Sequence, residues 1–296
     1  MSEPFYHYRP LDRDLDLFIS DSIGVIEELK SDGYRISDSS RFPLFLKELS
    51  NFIKCRSQVE FNSFDKPLLA DGFRDFAELN AIVKSQKIRK ENRKEIQKIF
   101  GGTRKPSEDN LTQARDFQFE LYLAAIFDLS GFFVEIAEPD FKFEYKGTIY
   151  SVAAKRISSE SKIQTRFSKA KKQIKKCGIP GFIAFSIDRI VWDNMNDDCY
   201  IVTNDPDSLY KAGQSTLHQL LKSKIKEAAW KHRDPLVVGH IASFAVPALV
   251  KKQGEMFSLG ICSNQLFIPS FDLRVGGEMY TNITEIPGQI KWPPQG

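Results

Sequence analysis

The stretch FKFEYKGTIYSVAAKR, residues 141–156, constrains this chain more than any other. Apolar and polar residues alternate on both sides of Lys146-Gly147, the pattern of strands with one face buried. A two-residue break of this kind between alternating runs predicts a tight hairpin turn. That turn sets a register in which Tyr145 pairs with Thr148. Extending the ladder places Asp140 opposite Ala153 and Glu138 opposite Lys155. Phe141, Phe143, Tyr145, Tyr150, Val152 and Ala154 then share an apolar face that must pack on a core. The opposite face carries Glu138, Asp140, Lys142, Glu144, Ile149, Ser151, Ala153 and Lys155, and on its own would read as a wet hairpin surface.

The surrounding pattern extends the hairpin into a larger unit. ARDFQFELYLAAIFDLSG predicts a helix closed by Gly131 and buried nearly all round. FFVEIAEPDFKFEY reads as a single strand leading into the turn. After the hairpin, Ile163, Phe167, Ala170, Ile174 and Cys177 form one apolar stripe of a lysine-rich helix, and GFIAFSIDRIVW follows as a buried strand. The order is helix, strand, strand, helix, strand. The first hundred residues read mainly as helices, ending at Gly101-Gly102. LVVGHIASFAVPALV is a strand or short helix, FSLGICSNQLFIP is strand-like, and the proline-containing tail EIPGQIKWPPQG is expected to be extended. The pattern divides the chain into a helical region 1–105, a core 106–205 and a C-terminal extension 206–296.

Composition narrows the function classes. At 296 residues and 42% apolar content the chain is of ordinary globular type, and its longest apolar run is too short for a bilayer, so a cytosolic location without membrane contact is expected. The four cysteines and four histidines are scattered, with no zinc or disulfide spacing. No phosphate-binding loop, dinucleotide fingerprint, nucleophile elbow or HExxH is present. Net charge is only +3, but residues 84–105 hold nine Lys or Arg against two Glu, and residues 155–176 hold nine against one. Two such clusters favour a polyanionic partner. DNMNDD at 193–198 lacks the spacing of a calcium loop and reads as a solvated turn.

Glu120 lies within the mostly apolar helix, where a carboxylate is costly unless paired or bound to a metal; a structural salt bridge would satisfy it equally well. With the helix bearing Glu120, the strand bearing Pro139-Asp140, the hairpin, the strand ending at Lys155, the basic helix and the strand GFIAFSID, the chain resembles the core of the PD-(D/E)xK, or restriction-endonuclease-like, nuclease superfamily. The resemblance covers roughly residues 112 to 190. It implies an α/β fold with a mixed sheet flanked by helices, and metal-dependent hydrolysis of phosphodiester bonds, in DNA ahead of RNA. Glu120 would be the helix acid, Asp140 the central metal ligand, residue 153 the second strand acid and Lys155 the motif lysine. Gln173 stands where some members carry a glutamine. The metal implied is magnesium, with manganese as an alternative, and the backbone carbonyl of Ala154 would be a further ligand. Arg156, Lys162, Arg166, Lys169, Lys172, Gln173 and Lys176 would contact the nucleic acid, as would the segment from Lys84 to Lys105. A bacterial defence or restriction-type role is the common implication, and a homo-oligomer or a protein partner is compatible with it.

The chain departs from the pattern at Ala153, where the resemblance calls for Asp or Glu. A literal E-x-K occurs at Glu144-Tyr145-Lys146, but its glutamate is about 13 Å along the strand from Asp140, too far for one metal. With one ligand missing, this sequence is expected to be inactive or nearly so. Ala153 admits three accounts: an introduced substitution, a naturally inactive homologue, or replacement of the acid by Glu138 or Glu160. The intact Asp140, Lys155 and Glu120 around it favour the first. Outside the enzymes, a non-catalytic nucleic-acid-binding or complex subunit on the same fold is the alternative, and a helical adaptor with a solvated hairpin is a third reading.

Overall fold

A computed structural model describes residues 8–54, 66–102, 113–193, 202–203, 215, 218–251, 257–269 and 277–290. The protein is α/β: a helical N-terminal region precedes a mixed sheet with flanking helices. Strand β1 (Tyr8–Asp14) leads into α1 (Leu15–Ser31), α2 (Arg41–Ile53), α3 (Lys66–Lys84), α4 (Gln86–Glu91) and α5 (Arg93–Ile99). The central segment comprises α6 (Gln113–Leu129), β2 (Phe133–Glu135), β3 (Phe141–Tyr145), β4 (Thr148–Arg156), α7 (Ile163–Cys177) and β5 (Gly181–Ser186). It is followed by α8 (Asp188–Asp193), β6 (Val202–Thr203), α9 (Lys226–Lys231), β7 (Val237–Lys251), β8 (Phe257–Pro269) and α10 (Gly277–Gln289). The strand order is β1-β8-β7-β5-β4-β3-β2, with β6 beside β7. Strands β4, β5 and β7 run parallel at the centre, β6 also runs parallel to β7, and the β1–β8, β7–β8, β3–β4 and β2–β3 pairs are antiparallel. The sheet therefore draws strands from all three segments that the sequence pattern separates.

The hairpin forms in the expected register. Tyr145 pairs with Thr148, Phe143 with Tyr150 and Phe141 with Val152. Lys146 and Gly147 both have positive φ, 50° and 72°, the geometry whose twist matches that of the flanking strands. The apolar face packs on α6, whose Phe127 ring lies 5.4 Å from Phe141 and 4.7 Å from Phe143.

Three expectations are corrected. Residues 133–145 form two antiparallel strands rather than one, because the chain turns back around a cis Glu138-Pro139 peptide and pairs Val134 with Phe143. The order is thus helix, three strands, helix, strand. The opposite hairpin face is wet only in part: Glu144 and Ile149 near the turn are exposed, but Ser151 and Ala153 are fully buried. Phe185 neighbours Lys155 on that face, and the α7 residue Phe167 packs on Phe185 at 5.0 Å, so α7 covers the buried part. Finally, EIPGQ belongs to helix α10 despite Pro287, since Ile283, Ile286 and Ile290 recur at helical spacing and all bury. Residues 291–296, and the acidic turn from 194 to 198, lie outside the described residues.

Helix crossings in the N-terminal region are close. A β-carbon on Gly72 of α3 would fall inside the ring of Phe45 on α2. Gly72→Ala is expected to cost about 1–3 kcal/mol through overpacking, read as a lower denaturant midpoint with an unchanged slope. Among the described residues no helix is long and apolar enough to cross a membrane.

Candidate functional site

The candidate site lies where β3 stops accompanying β4. The β3–β4 ladder ends at Phe141–Val152, so Asp140–Ala153 and Glu138–Lys155 do not pair as the extended register required. Asp140 sits in a bend immediately before β3. Beyond Val152, β4 keeps its partner only on the β5 side, where Ser151 and Ile157 donate N–H groups to Pro180 and Ser186. Alternation along a strand turns the amide and carbonyl of Ala154 toward the side β3 has left. Asp140 fills that gap: its Oδ2 accepts the Ala154 N–H at 2.6 Å. Lys155 Nζ donates to the same Oδ2 at 3.0 Å and to the Ala154 carbonyl at 2.7 Å.

A cleft of about 360 Å³ opens at this point. Helix α6 contributes Asp116 and Glu120, four residues apart on one face; β4 contributes Ala154 and Lys155. Helix α7 forms the facing wall with Arg166, Lys169, Lys172 and Gln173. The apolar stripe of α7 faces the sheet, so its basic residues are left for the cleft and solvent. Arg166 approaches Asp116 at 3.8 Å, linking the two helices across the opening. Burial pushes the Glu120 carboxyl up to about 8, and the neighbouring Asp140 charge adds to the rise while Lys155 opposes it. Burial likewise lifts Asp140 to about 6, against the attraction of Lys155. Burial thus favours the protonated form of Glu120 more strongly than that of Asp140.

Of the residues expected in the site, Glu120, Asp140, Ala154, Lys155, Arg166, Lys169, Lys172 and Gln173 come together. Ala153 does not line the cleft; it is buried beneath α7 and neighbours Ile183 of β5. Glu138 and Glu160 are exposed and lie off the cleft lining, although the Glu138 charge acts on Asp140. Arg156 is also corrected. Its guanidinium turns into the core and meets both Glu78 carboxylate oxygens, at 2.7 and 2.5 Å, with Asp188 at 3.8 Å and the Phe119 ring at 5.4 Å. A fork committed to buried carboxylates is not presented to a phosphate. Lys162 and Lys176 are exposed but outside the lining. Lys146 of the literal E-x-K is ion-paired with Glu285, far along the strand from Asp140.

Sequence reasoning missed Asp116, and it included Lys98 only as part of the basic segment from Lys84 to Lys105. The four-residue spacing from Glu120 pointed to Asp116, and the basic run contained Lys98, whose charge acts on Glu120 and whose ammonium lies 4.5 Å over the Phe117 ring.

The donor set does not fit a magnesium or manganese ion. Among the described residues no three His, Cys, Asp or Glu side chains are grouped to hold a metal. Two of the oxygens such an ion would need, Asp140 Oδ2 and the Ala154 carbonyl, are already engaged by Lys155 Nζ. Comparison of the chain with protein-family models, curated proteins and solved structures yields no match.

Proposed function

We propose that the chain follows the plan of a PD-(D/E)xK-type, restriction-endonuclease-like nuclease directed at phosphodiester bonds of DNA ahead of RNA, and that this sequence is inactive or nearly so because residue 153 is alanine. The observation that carries the reading is the meeting of Glu120, Asp140 and Lys155, from three separate elements, opposite a wall of Arg166, Lys169 and Lys172. Phosphodiester hydrolysis needs cations around the phosphate oxygens and groups that hold protons for the attacking and leaving oxygens. Here α7 provides the cations, and Glu120 is an acid that burial holds toward its protonated form. What is missing is the second fixed carboxylate that would hold a divalent ion beside Asp140. A defence or restriction-type role extends this reading by analogy at the level of fold.

The test is to restore that acid. Ala153→Glu, with folding verified by circular dichroism, is expected to nick or linearise plasmid DNA in magnesium or manganese. The present sequence and Ala153→Glu/Lys155→Met are expected to leave the DNA intact. A folded Ala153→Glu protein without cleavage would remove the enzyme reading. It would favour the alternative, a non-catalytic nucleic-acid-binding subunit, to which the engagement of Asp140 and Ala154 by Lys155 already gives specific support.

A further inference from the structure

We infer that the Lys155 ammonium is the resident cation of the cleft, and that the cleft takes a nucleic-acid phosphate without a divalent ion. The inference rests on the nucleic-acid reading above and departs from its metal requirement. Lys155 Nζ lies within hydrogen-bond distance of Asp140 Oδ2 and the Ala154 carbonyl, the two oxygens a metal would use. Both side chains are largely shielded, with 11% of Lys155 and 7% of Asp140 exposed. A divalent ion entering here has to displace an ammonium that is already neutralised and hydrogen-bonded. Among the described residues no three carboxylates are grouped so as to hold it in exchange.

The same arrangement suits an anion. An ammonium has three donors and no acceptor; two donors reach Asp140 and Ala154, leaving the third for an incoming oxygen. Lys155, Arg166, Lys169 and Lys172 set four cations against Asp116 and Asp140, with burial holding Glu120 toward its neutral form. The cleft is thus a net attractor for phosphate on protein charges alone. Alanine at 153, buried beside the cleft, adds no charge to this balance. A carboxylate there would stand on the same strand face as Lys155, two residues away, and reduce the excess of positive charge.

The experiment is fluorescence anisotropy with a labelled DNA duplex of about 20 base pairs, roughly two helical turns. Titrations are run in EDTA and in magnesium at matched ionic strength, because phosphate contacts are strongly salt-dependent. The present sequence is expected to bind with a Kd that differs by less than about twofold between the two conditions, and Lys155→Met to weaken binding in EDTA by about tenfold, the size of one charged hydrogen bond. Lys169→Ala/Lys172→Ala, at exposed positions that leave the fold intact, is expected to weaken binding in EDTA and to flatten the salt dependence. Binding that is about tenfold tighter in magnesium than in EDTA would overturn the inference while leaving the nuclease plan standing. Absence of binding in both conditions would overturn the inference and the nucleic-acid reading together. Should Lys155→Met fail to fold, the comparison of EDTA with magnesium on the present sequence decides the matter.

Discussion

Glu78→Ala is expected to lower stability by about 3–5 kcal/mol, the loss typical of breaking a buried ion pair from one side. Glu78 accepts both hydrogen bonds from Arg156 and one from Gln118 Nε2 at 2.6 Å, and its side chain is almost fully enclosed. Truncation takes away the carboxylate that Arg156 hydrogen-bonds, leaving Asp188 at 3.8 Å, and Gln118 loses an acceptor. The two partners lie 78 residues apart, so the pair ties α3 of the helical region to the end of the strand that carries Lys155. Urea denaturation should show a lower midpoint. Glu78→Ala/Arg156→Met should recover most of the loss, because both charges then leave the interior together. A loss below about 1 kcal/mol for Glu78→Ala, the range of exposed pairs, would mean that water reaches Arg156 and that this tie is weak.

Glu120→Gln should stabilise the protein in alkaline solution and leave it unchanged in acid. The folded-state value of about 8 stands above the ordinary 4.5, so the folded protein holds this proton more tightly than the unfolded chain. As pH rises from about 4.5 toward 8 the unfolded chain ionises first, and the native state loses stability relative to it. Glutamine carries no such proton. The variant's advantage should therefore be absent below about pH 4.5, grow through the neutral range and level off above about pH 8. Melting temperatures of both proteins across this range measure it. Parallel profiles would show that Glu120 is better solvated than its setting between α6 and Asp140 implies.

Much of the fold was legible because it is written in short-range pattern. The Lys146-Gly147 turn, the alternation on either side and the stripe of Ile163, Phe167, Ala170 and Ile174 each specify local geometry, and each formed as expected. Strand β1 gave little signal: Tyr8–Asp14 contains Pro10 and is rich in charge, a pattern tolerated because among the described strands it lies at the edge and pairs only with β8. The turn at Glu138-Pro139 was hidden because apolar alternation continues on both sides of it.

By itself, the sequence determined the hairpin, its register near the turn, and the candidacy of Glu120, Asp140 and Lys155. The hairpin and its register follow from alternation and turn chemistry, and the interest of Glu120 from the cost of an acid in an apolar helix, all of which act over a few residues; Asp140 and Lys155 were singled out by the resemblance to a known nuclease core. Only the tertiary structure decided where the ladder ends, that α7 seals Ala153 away, that Arg156 turns inward to Glu78, and that Lys155 holds the oxygens of Asp140 and Ala154. The reason is physical. Whether a buried charge faces a carboxylate, a cleft or solvent depends on partners brought in from distant parts of the chain, and no local pattern records which partner arrives.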